Sequence, residues 1–371
     1  MNFSKEFLTL FTATIVIIQF GCDRVFDPLT ANTECNFENA TIEFLGFDDK
    51  LALRMALEEP YLYVCAGSDG VWKRDISNMG DWQFLGLQDS SLGKYTNVGA
   101  IDIDVLNSDI LVAYNGAAPH VAPESTVSVW RSTNGGMDWF RSDSGIPESI
   151  EDPFEYNILT SLQRSPHQPN IIIGCIESIV YRSTNNGSYW TLLTGVRGVV
   201  LNRGYVRWHP FRSGEVWFFG TAGLFYPYCF SLRSYGRVPK TRINFDSLGF
   251  PSDGDVYDVA FNAGNPDIVY AATSLGVIKS ADGGYTWRKD ALRIPDYNFV
   301  FQMAHHPSVG GILYLAGGKQ IYATCDGGKT VRSIGEVDRG FITSLVLDIQ
   351  GNQLFIGTTE GGIYALKFSG R

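Results

Sequence analysis

The chain has little positive charge for its length of 371 residues, because 29 Lys and Arg stand against 39 Asp and Glu. The formal net charge is −10, and no basic stripe interleaved with aromatic residues is visible. Proteins bind nucleic-acid phosphates through clustered Lys and Arg. We therefore expect no nucleic acid as a partner.

Cysteine and histidine are also scarce, with six and five residues, and no C-x-x-C pair occurs. Once Cys22 is set aside, the remaining cysteines have irregular spacing, which does not predict a disulfide framework. The close pair His305 and His306 would point to opposite faces of a strand. We expect neither a metal site nor a cofactor. The remaining cysteines are Cys35, Cys65, Cys175, Cys229 and Cys325.

Glycine, by contrast, is abundant, with 40 residues, and aromatic residues make up 13% of the chain. One stretch recurs as an imperfect repeat, and its clearest copy is Ser-Ala-Asp-Gly-Gly-Tyr-Thr-Trp at residues 280–287. This copy follows a β run, a Gly turn and a second β run at residues 268–279. Self-similarity of this kind predicts a repeat architecture. The copies begin at Ser132, Ser183, Ser280 and Thr324.

The recurring stretch resembles the Asp-box, or BNR, repeat (Ser-x-Asp-x-Gly-x-x-Trp). This repeat occurs in β-propellers such as sialidases, xyloglucan-hydrolysing enzymes, sortilin-type receptors and photosystem assembly factors. The resemblance covers roughly residues 43–368 and implies a propeller fold, but no particular function. The Asp or Asn accepts hydrogen bonds within its own turn, and the glycines adopt positive φ. We therefore interpret Asp282 and Asp326 as structural residues.

The interval between copies is about 46 residues, with one copy lost between Trp190 and Ser280. Over residues 47–368 this interval predicts seven repeats. We predict an all-β fold: a seven-bladed β-propeller of four-stranded antiparallel blades, in one domain at residues 41–371. The last repeat has only three strand candidates. We therefore expect an N-terminal strand, at residues 41–46, to complete that blade and close the ring.

Residues 1–21 have the pattern of an export signal, because their apolar run at 7–20 is shorter than the ~20 residues of a spanning helix. Cys22 follows a small residue, which resembles a bacterial lipobox, whose cysteine is lipidated. Ordinary signal cleavage and an uncleaved anchor are the alternatives. Residues 22–40 are polar and predict a tether. We expect an exported lipoprotein, anchored to a membrane and facing the periplasm or cell surface.

In a propeller the innermost strands line a central channel, and ligands usually bind there or at the loops beside it. Aligning the repeats on these strands places one residue of each repeat at an equivalent position, although a slip of one residue would select the opposite face. The aligned residues are Arg54, Ala100, Ser161, Tyr205, Asp258, Gln302 and Ser344. Simple lining of a water-filled channel is the alternative to ligand binding. The predicted ligand-binding residues are Arg54, Tyr205, Asp258 and Gln302.

Two enzyme classes with this repeat supply other expectations. Sialidases hold a carboxylate with three arginines and carry an Arg-Ile-Pro motif, but here residues 293–295 occupy an ordinary turn after the repeated stretch. Xyloglucan-hydrolysing propellers use two Asp residues across a cleft, and carboxylate separation governs such chemistry. The candidate cations are Arg54, Arg203, Arg207 and Arg339, and the candidate carboxylates are Asp102, Asp255 and Asp258.

Irregular segments at residues 117–124, 147–156 and 225–230 interrupt the repeats and are candidate specificity loops. The favoured interpretation is a non-catalytic binding or scaffolding module for a protein or glycan at the bacterial cell envelope. The alternative is a glycoside hydrolase of sialidase-like or related propeller type.

Overall fold

The computed structural model describes residue 37 and residues 39–92, 98–116, 127–147, 159–176, 179–195, 201–222, 229–233, 248, 255–273, 276–289, 292, 294 and 300–368. Within these ranges 26 β-strands form antiparallel sheets. The same ranges contain no helix with the length and apolar character that crossing a membrane requires.

The strands follow one another from sheet to sheet along the chain. The first sheet contains β2 (Arg54–Glu58), β3 (Tyr61–Cys65), β4 (Val71–Asp75) and β5 (Gln83–Gly86). The second contains β6 (Gly99–Leu106), β7 (Asp109–Asn115), β8 (Val127–Ser132) and β9 (Phe140–Arg141). The third contains β10 (Leu159–Arg164), β11 (Ile172–Ile176), β12 (Ile179–Ser183) and β13 (Trp190–Gly195).

The remaining sheets continue this order. The fourth contains β14 (Leu201–Trp208), β15 (Glu215–Ala222) and β16 (Cys229–Arg233), and the fifth contains β17 (Val256–Phe261), β18 (Val269–Thr273) and β19 (Gly276–Ser280). The sixth contains β20 (Gln302–His305), β21 (Leu313–Gly317), β22 (Gln320–Thr324) and β23 (Arg332–Glu336). The seventh joins β1 (Thr41–Phe44) to β24 (Ile342–Asp348), β25 (Gln353–Thr358) and β26 (Ile363–Lys367).

The sheets differ in their number of described strands. Five have four strands, whereas the fourth and fifth have three. The prediction of seven blades that each have four strands is therefore wrong. In the fifth sheet a single bridge takes the place of an outer strand, with Lys279 N–H donating to Arg288 O at 3.1 Å and Arg288 N–H donating back at 2.8 Å. Among the described residues, the repeated stretch is therefore not always followed by an outer strand.

The innermost strands of successive sheets pack together around a ring. Strand β6 lies against β2 and β10, β10 against β14, and β20 against β17 and β24. Strand β17 contacts β15 of the preceding sheet, and β24 contacts β2, so the ring is closed. This arrangement is a β-propeller.

The seventh sheet takes its outer strand from the N-terminal side of the domain, where the sequence predicts one at residues 41–46. Strand β1 pairs antiparallel with β26, beginning with Thr41 opposite Lys367. Beyond the strand, Leu45 N–H donates to Ile363 O at 2.7 Å. The ring is therefore closed within one sheet, which removes exposed strand edges.

The hydrophobic core lies between neighbouring sheets. The middle strands β11, β18 and β21 are buried at every position, so their sequences are apolar without alternation. Trp217 and Phe261 pack edge to face between the fourth and fifth sheets, with ring centroids 5.8 Å apart. Because each sheet packs on its neighbours, the apolar side chains are buried in several clusters between sheets and not in one large central core.

The four copies of the repeated stretch share one hydrogen-bond pattern. The hydroxyl of the first residue donates to the side-chain oxygen of the third and accepts from the N–H of the fifth, at 2.7–2.9 Å. In the copy at Ser280 the fifth residue is Gly284, whose φ is 93° and where a Cβ would lie 2.4 Å from the Trp217 ring. Both the backbone and the packing therefore require glycine there.

We expect Ser280→Ala to lower the free energy of unfolding by about 1–2 kcal/mol, because it leaves the buried N–H of Gly284 without its acceptor. Urea denaturation measures the change. Ser77→Ala is the matched control, since Ser77 is exposed and its hydroxyl bonds only to Asp75 in its own turn. An equal, negligible effect of both substitutions would show that the turn bonds contribute nothing.

The described cysteines differ in state. Cys65 and Cys175 are buried and form no disulfide, as expected for small residues on strands. Cys325 is disulfide-bonded, which the cysteine spacing does not predict. Disulfides form and persist in oxidising compartments, so this bond bears on where the protein resides.

Candidate functional site

The innermost strands enclose a central cavity of about 420 Å³, a size typical of small-molecule sites. The four predicted ligand-binding residues all line it, so the structure brings them together. Of the seven aligned residues only Ala100 is absent from the lining. The aligned residues that line the cavity are Arg54, Ser161, Tyr205, Asp258, Gln302 and Ser344.

Asp102 takes the place that the alignment assigns to Ala100. In β6 the register shifts between these residues, so that Ala100 pairs with Tyr114 and Asp102 with Ala113. One extra residue in a strand reverses which side chains face the channel. Ala100 is therefore buried in the core, and its predicted channel position is wrong.

Arg54 extends from β2 across the ring. Its Nη1 donates to Gln302 Oε1 at 2.7 Å on β20 and to Thr343 O at 3.3 Å. Its guanidinium carbon lies 5.5 Å from the centre of the Tyr205 ring, within the range of a cation–π contact. No described carboxylate oxygen lies within 4.0 Å of it. Arg54 is thus held by neutral groups.

Asp258 is almost completely buried and is bound by protein groups on both oxygens. Its Oδ1 accepts from Val259 N–H at 2.8 Å and lies 2.7 Å from Arg207 Nη2, and its Oδ2 accepts from Met303 N–H at 2.8 Å. Burial raises the pKa of Asp258, although Arg207 and the backbone donors oppose that change. This carboxylate stabilises the ring.

The bond from Met303 N–H to Asp258 is one of four equivalent inter-sheet bonds. In each, the side chain at the aligned position of one sheet accepts a hydrogen bond from the next sheet. The donor is the backbone N–H of the residue that follows the aligned position in that next sheet. Such bonds satisfy backbone donors where two innermost strands meet. The other three join Asp102 to Leu162 at 2.7 Å, Ser161 to Val206 at 3.4 Å and Ser344 to Met55 at 3.2 Å.

Asp102 differs from Asp258 because no ion pair neutralises it. Its Oδ1 accepts from Ile103 N–H at 3.0 Å and its Oδ2 from Leu162 N–H. Burial raises the pKa of Asp102 to about 6, against the opposing influence of Arg54 and the two backbone donors. Asp102 therefore changes charge just below neutral pH.

The pKa of Asp102 predicts a pH-dependent contribution to stability. A carboxyl group whose pKa is raised on folding stabilises the fold at low pH, and this contribution is lost as the pH rises through about 6. Asp102→Asn removes this contribution. As the pH falls from about 7 to about 4, wild type should therefore gain stability relative to the variant by on the order of 2 kcal/mol. Urea titrations at several pH values measure this. A pH-independent difference would contradict the raised pKa.

Among the further lining residues that the alignment did not identify are Asp104, Gln163 and His305. Gln163 lies two positions after the aligned Ser161, and Asp104 lies two positions after Asp102, so the strand period of two could have found them once β6 was correctly aligned. Asp104 Oδ1 lies 2.8 Å from Arg164 Nε. Burial and nearby Arg207 lower the pKa of His305 to about 4, so this histidine is neutral near pH 7.

The other candidate residues are divided between the cavity and the rest of the molecule. Arg207 lines it, but Arg339 is exposed and pairs with Asp48 at 2.7 Å. Asp255 is absent from the lining and accepts a hydrogen bond from Tyr257 at 3.4 Å. The following lie outside the described residues: Cys22, Arg293, Pro295, the side chain of Arg203, segments 117–124 and 148–156, and residues 225–228 of the third segment.

Comparisons with solved structures support the fold. YCF48 bound to D1 peptide superposes with a TM-score of 0.60 at 14% identity, covering 89% of this chain and 97% of that one. YCF48 from Cyanidioschyzon merolae gives a TM-score of 0.52 at 14% identity, with 88% and 99% covered. Identities this low show a shared propeller fold and nothing finer.

Hydrolases of the GH74 class have the same fold. The xyloglucanase from Xanthomonas campestris has a TM-score of 0.61 at 15% identity, covering 88% of this chain and 53% of its own. The GH74 enzyme from Niastella koreensis has a TM-score of 0.64 at 13% identity, covering 87% and 53%. The chain thus spans about half the length of these enzymes. No protein-family model matches the sequence, and no curated protein sequence matches it significantly.

Proposed function

We propose that this protein is an exported, lipid-anchored β-propeller that binds a protein or glycan at the bacterial cell envelope without catalysis, through its central cavity. Arg54, Tyr205, Asp258 and Gln302 are its proposed ligand-binding residues. Lipidation of Cys22 and a tether at residues 22–40 would hold the ring away from the membrane.

One observation carries the choice of binding over hydrolysis. Two of the three cavity carboxylates are ion-paired, Asp258 with Arg207 and Asp104 with Arg164, so Asp102 has no unpaired carboxylate partner among the described lining residues. A hydrolytic pair of carboxylates must instead be available to substrate and water. Arg54, by contrast, has neutral partners and keeps N–H groups that can meet a ligand.

Three further observations support the proposal. The disulfide at Cys325 fits an oxidising, extracytoplasmic compartment. The hydrogen-bond pattern shared by the four turns fits Asp-box repeats, whose Asp or Asn side chain accepts hydrogen bonds within the turn. YCF48, which matches this chain over nearly its whole length, is a propeller with a peptide bound.

A glycoside hydrolase is the second candidate, and the pKa of Asp102 favours it. A carboxyl group with a pKa of about 6 is in the range of the general acids of glycosidases. The GH74 neighbours are consistent with that role, although this chain spans about half their length. In this alternative Asp102 would donate the proton and a second carboxylate would complete the site.

The two candidates are separated by running a pull-down and a turnover assay on the same preparations. Wild type, Arg54→Met and Arg141→Met are mixed with solubilised envelope, and each is also tested on a panel of fluorogenic glycosides. Arg141 is the control because its exposed guanidinium pairs with Asp143 at 2.8 Å. We expect a component retained by wild type and Arg141→Met but not by Arg54→Met, and no turnover. Turnover that Asp102→Asn abolishes would instead establish the hydrolase.

A further inference from the structure

We propose that the central cavity binds a zwitterion of the α-amino-acid type, with Arg54 receiving its carboxylate and Asp102 its ammonium group. This inference rests on the proposed binding function of the cavity and goes beyond it, because it adds a small ligand to the proposed protein or glycan.

Most of the charged side chains that line the cavity are paired with one another or with a neighbour. Arg207 neutralises Asp258 at 2.7 Å, and Arg164 neutralises Asp104 at 2.8 Å. Among the described lining residues, this leaves one cation and one anion without an ion pair, Arg54 and Asp102. The unmatched charges of the cavity are therefore one of each sign.

These two charges belong to neighbouring strands but do not meet. Arg54 lies on β2 and Asp102 on β6, and these strands pack together. Their charged atoms are more than 4.0 Å apart, and the guanidinium is held by Gln302 and Tyr205. A ligand can bridge such a gap, since a charge-assisted hydrogen bond at each end adds about 2.8 Å to the ligand's own length.

Both groups retain hydrogen-bonding capacity. The hydrogen bonds of Arg54 to described residues use only Nη1, which leaves the N–H groups on Nε and Nη2. Each oxygen of Asp102 accepts one backbone N–H and has a second lone pair. A carboxylate can therefore bind Arg54, and an ammonium group can bind Asp102, without breaking an existing bond.

The balance of charge selects a zwitterion over simpler ions. An anion at Arg54 would leave Asp102 uncompensated and be repelled by it, and a cation at Asp102 would be repelled by Arg54. A ligand with both charges satisfies both residues. Pro307, Val346 and Ile349 also line the cavity and offer an apolar surface to a side chain.

The test uses the purified full chain and three sets of probes. The first set is the twenty common α-amino acids, the second their N-acetyl derivatives, which keep only the carboxylate, and the third their amides, which keep only the ammonium group. Isothermal titration calorimetry is run at probe concentrations up to about 10 mM, which reaches millimolar affinity. We expect at least one amino acid to bind, and its acetylated and amidated forms to bind at least about tenfold more weakly.

Variants assign the two charges. Arg54→Met and Asp102→Asn should each weaken binding at least about tenfold, whereas Arg141→Met should leave it unchanged. If Asp102→Asn does not fold, the pH dependence of wild type replaces it: affinity should fall as the pH drops through about 6, because Asp102 becomes neutral. Arg54 and Asp104 are the charged groups that also act on this carboxyl.

The outcomes separate this inference from the proposed function. The inference is overturned if no amino acid binds, if an acetylated or amidated form binds as tightly as the parent, or if Arg54→Met binds normally. If the envelope pull-down still depends on Arg54 in that case, the binding function stands and only the ligand class is wrong.

Discussion

Asp258→Ala should lower the free energy of unfolding by about 3–5 kcal/mol, the range for removing one partner of a buried ion pair. The substitution leaves Arg207 without its carboxylate and leaves the N–H groups of Met303 and Val259 without their acceptor. Asp258 is only 2% exposed, so its hydrogen-bond partners are shielded from water in the wild type. Urea denaturation followed by tryptophan fluorescence measures the loss.

Ser344→Ala is the matched control for this prediction. Ser344 occupies the equivalent position in the seventh sheet and accepts Met55 N–H at 3.2 Å, but it carries no charge. Its removal should cost only about 1 kcal/mol. If both substitutions had the same small effect, Asp258 would not be a structural residue of the ring, and it would become available as a catalytic carboxylate.

Deleting residues 41–46 should cost at least about 5 kcal/mol and leave most of the chain unable to fold cooperatively. The deletion removes strand β1 and the buried side chain of Leu45, and it uncovers the edge of β26. Trp82 Nε1 also loses its acceptor, the carbonyl of Leu45, at 3.0 Å. An exposed edge strand pairs readily with other chains, so we expect aggregation as well.

Two point variants refine the deletion. Leu45→Ala should cost about 2–5 kcal/mol, because it leaves a cavity in the core between the first and seventh sheets. Glu43→Gln should cost less than about 1 kcal/mol, since its ion pair with Lys367 across β1 and β26 is exposed. A deleted chain that melts like wild type would mean that the ring closes without the N-terminal strand.

Much of the fold follows from the spacing of the repeated stretch. That spacing locates the innermost strands, and the shortage of strands after residue 339 identifies residues 41–46 as a partner of β26. The number of strands in a sheet is less predictable, because an outer strand depends on few contacts. The bridge between Lys279 and Arg288 shows how such a strand can shrink to one residue pair.

The site shows a sharper limit. Alignment on the first strands places Arg54, Asp258 and Gln302 at the cavity, because all the innermost strands face the same axis. It fails at Ala100, which lies two residues before Asp102. The register shift that precedes Asp102 also precedes Ser161, Asp258 and Ser344, but no residue pattern in the sequence marks it. Which carboxylates are neutralised could not be predicted either, because Arg207 and Asp258 lie on different sheets.

The central claim is that the cavity binds its ligand without converting it, and the most direct test is the mass of what the protein retains. Wild type and Arg54→Met are incubated with solubilised envelope, and the retained material is analysed by mass spectrometry at once and after prolonged incubation. We expect a component held by wild type, absent from Arg54→Met and recovered with unchanged mass. Equal retention by both proteins, or a product whose mass shows cleavage, would contradict it.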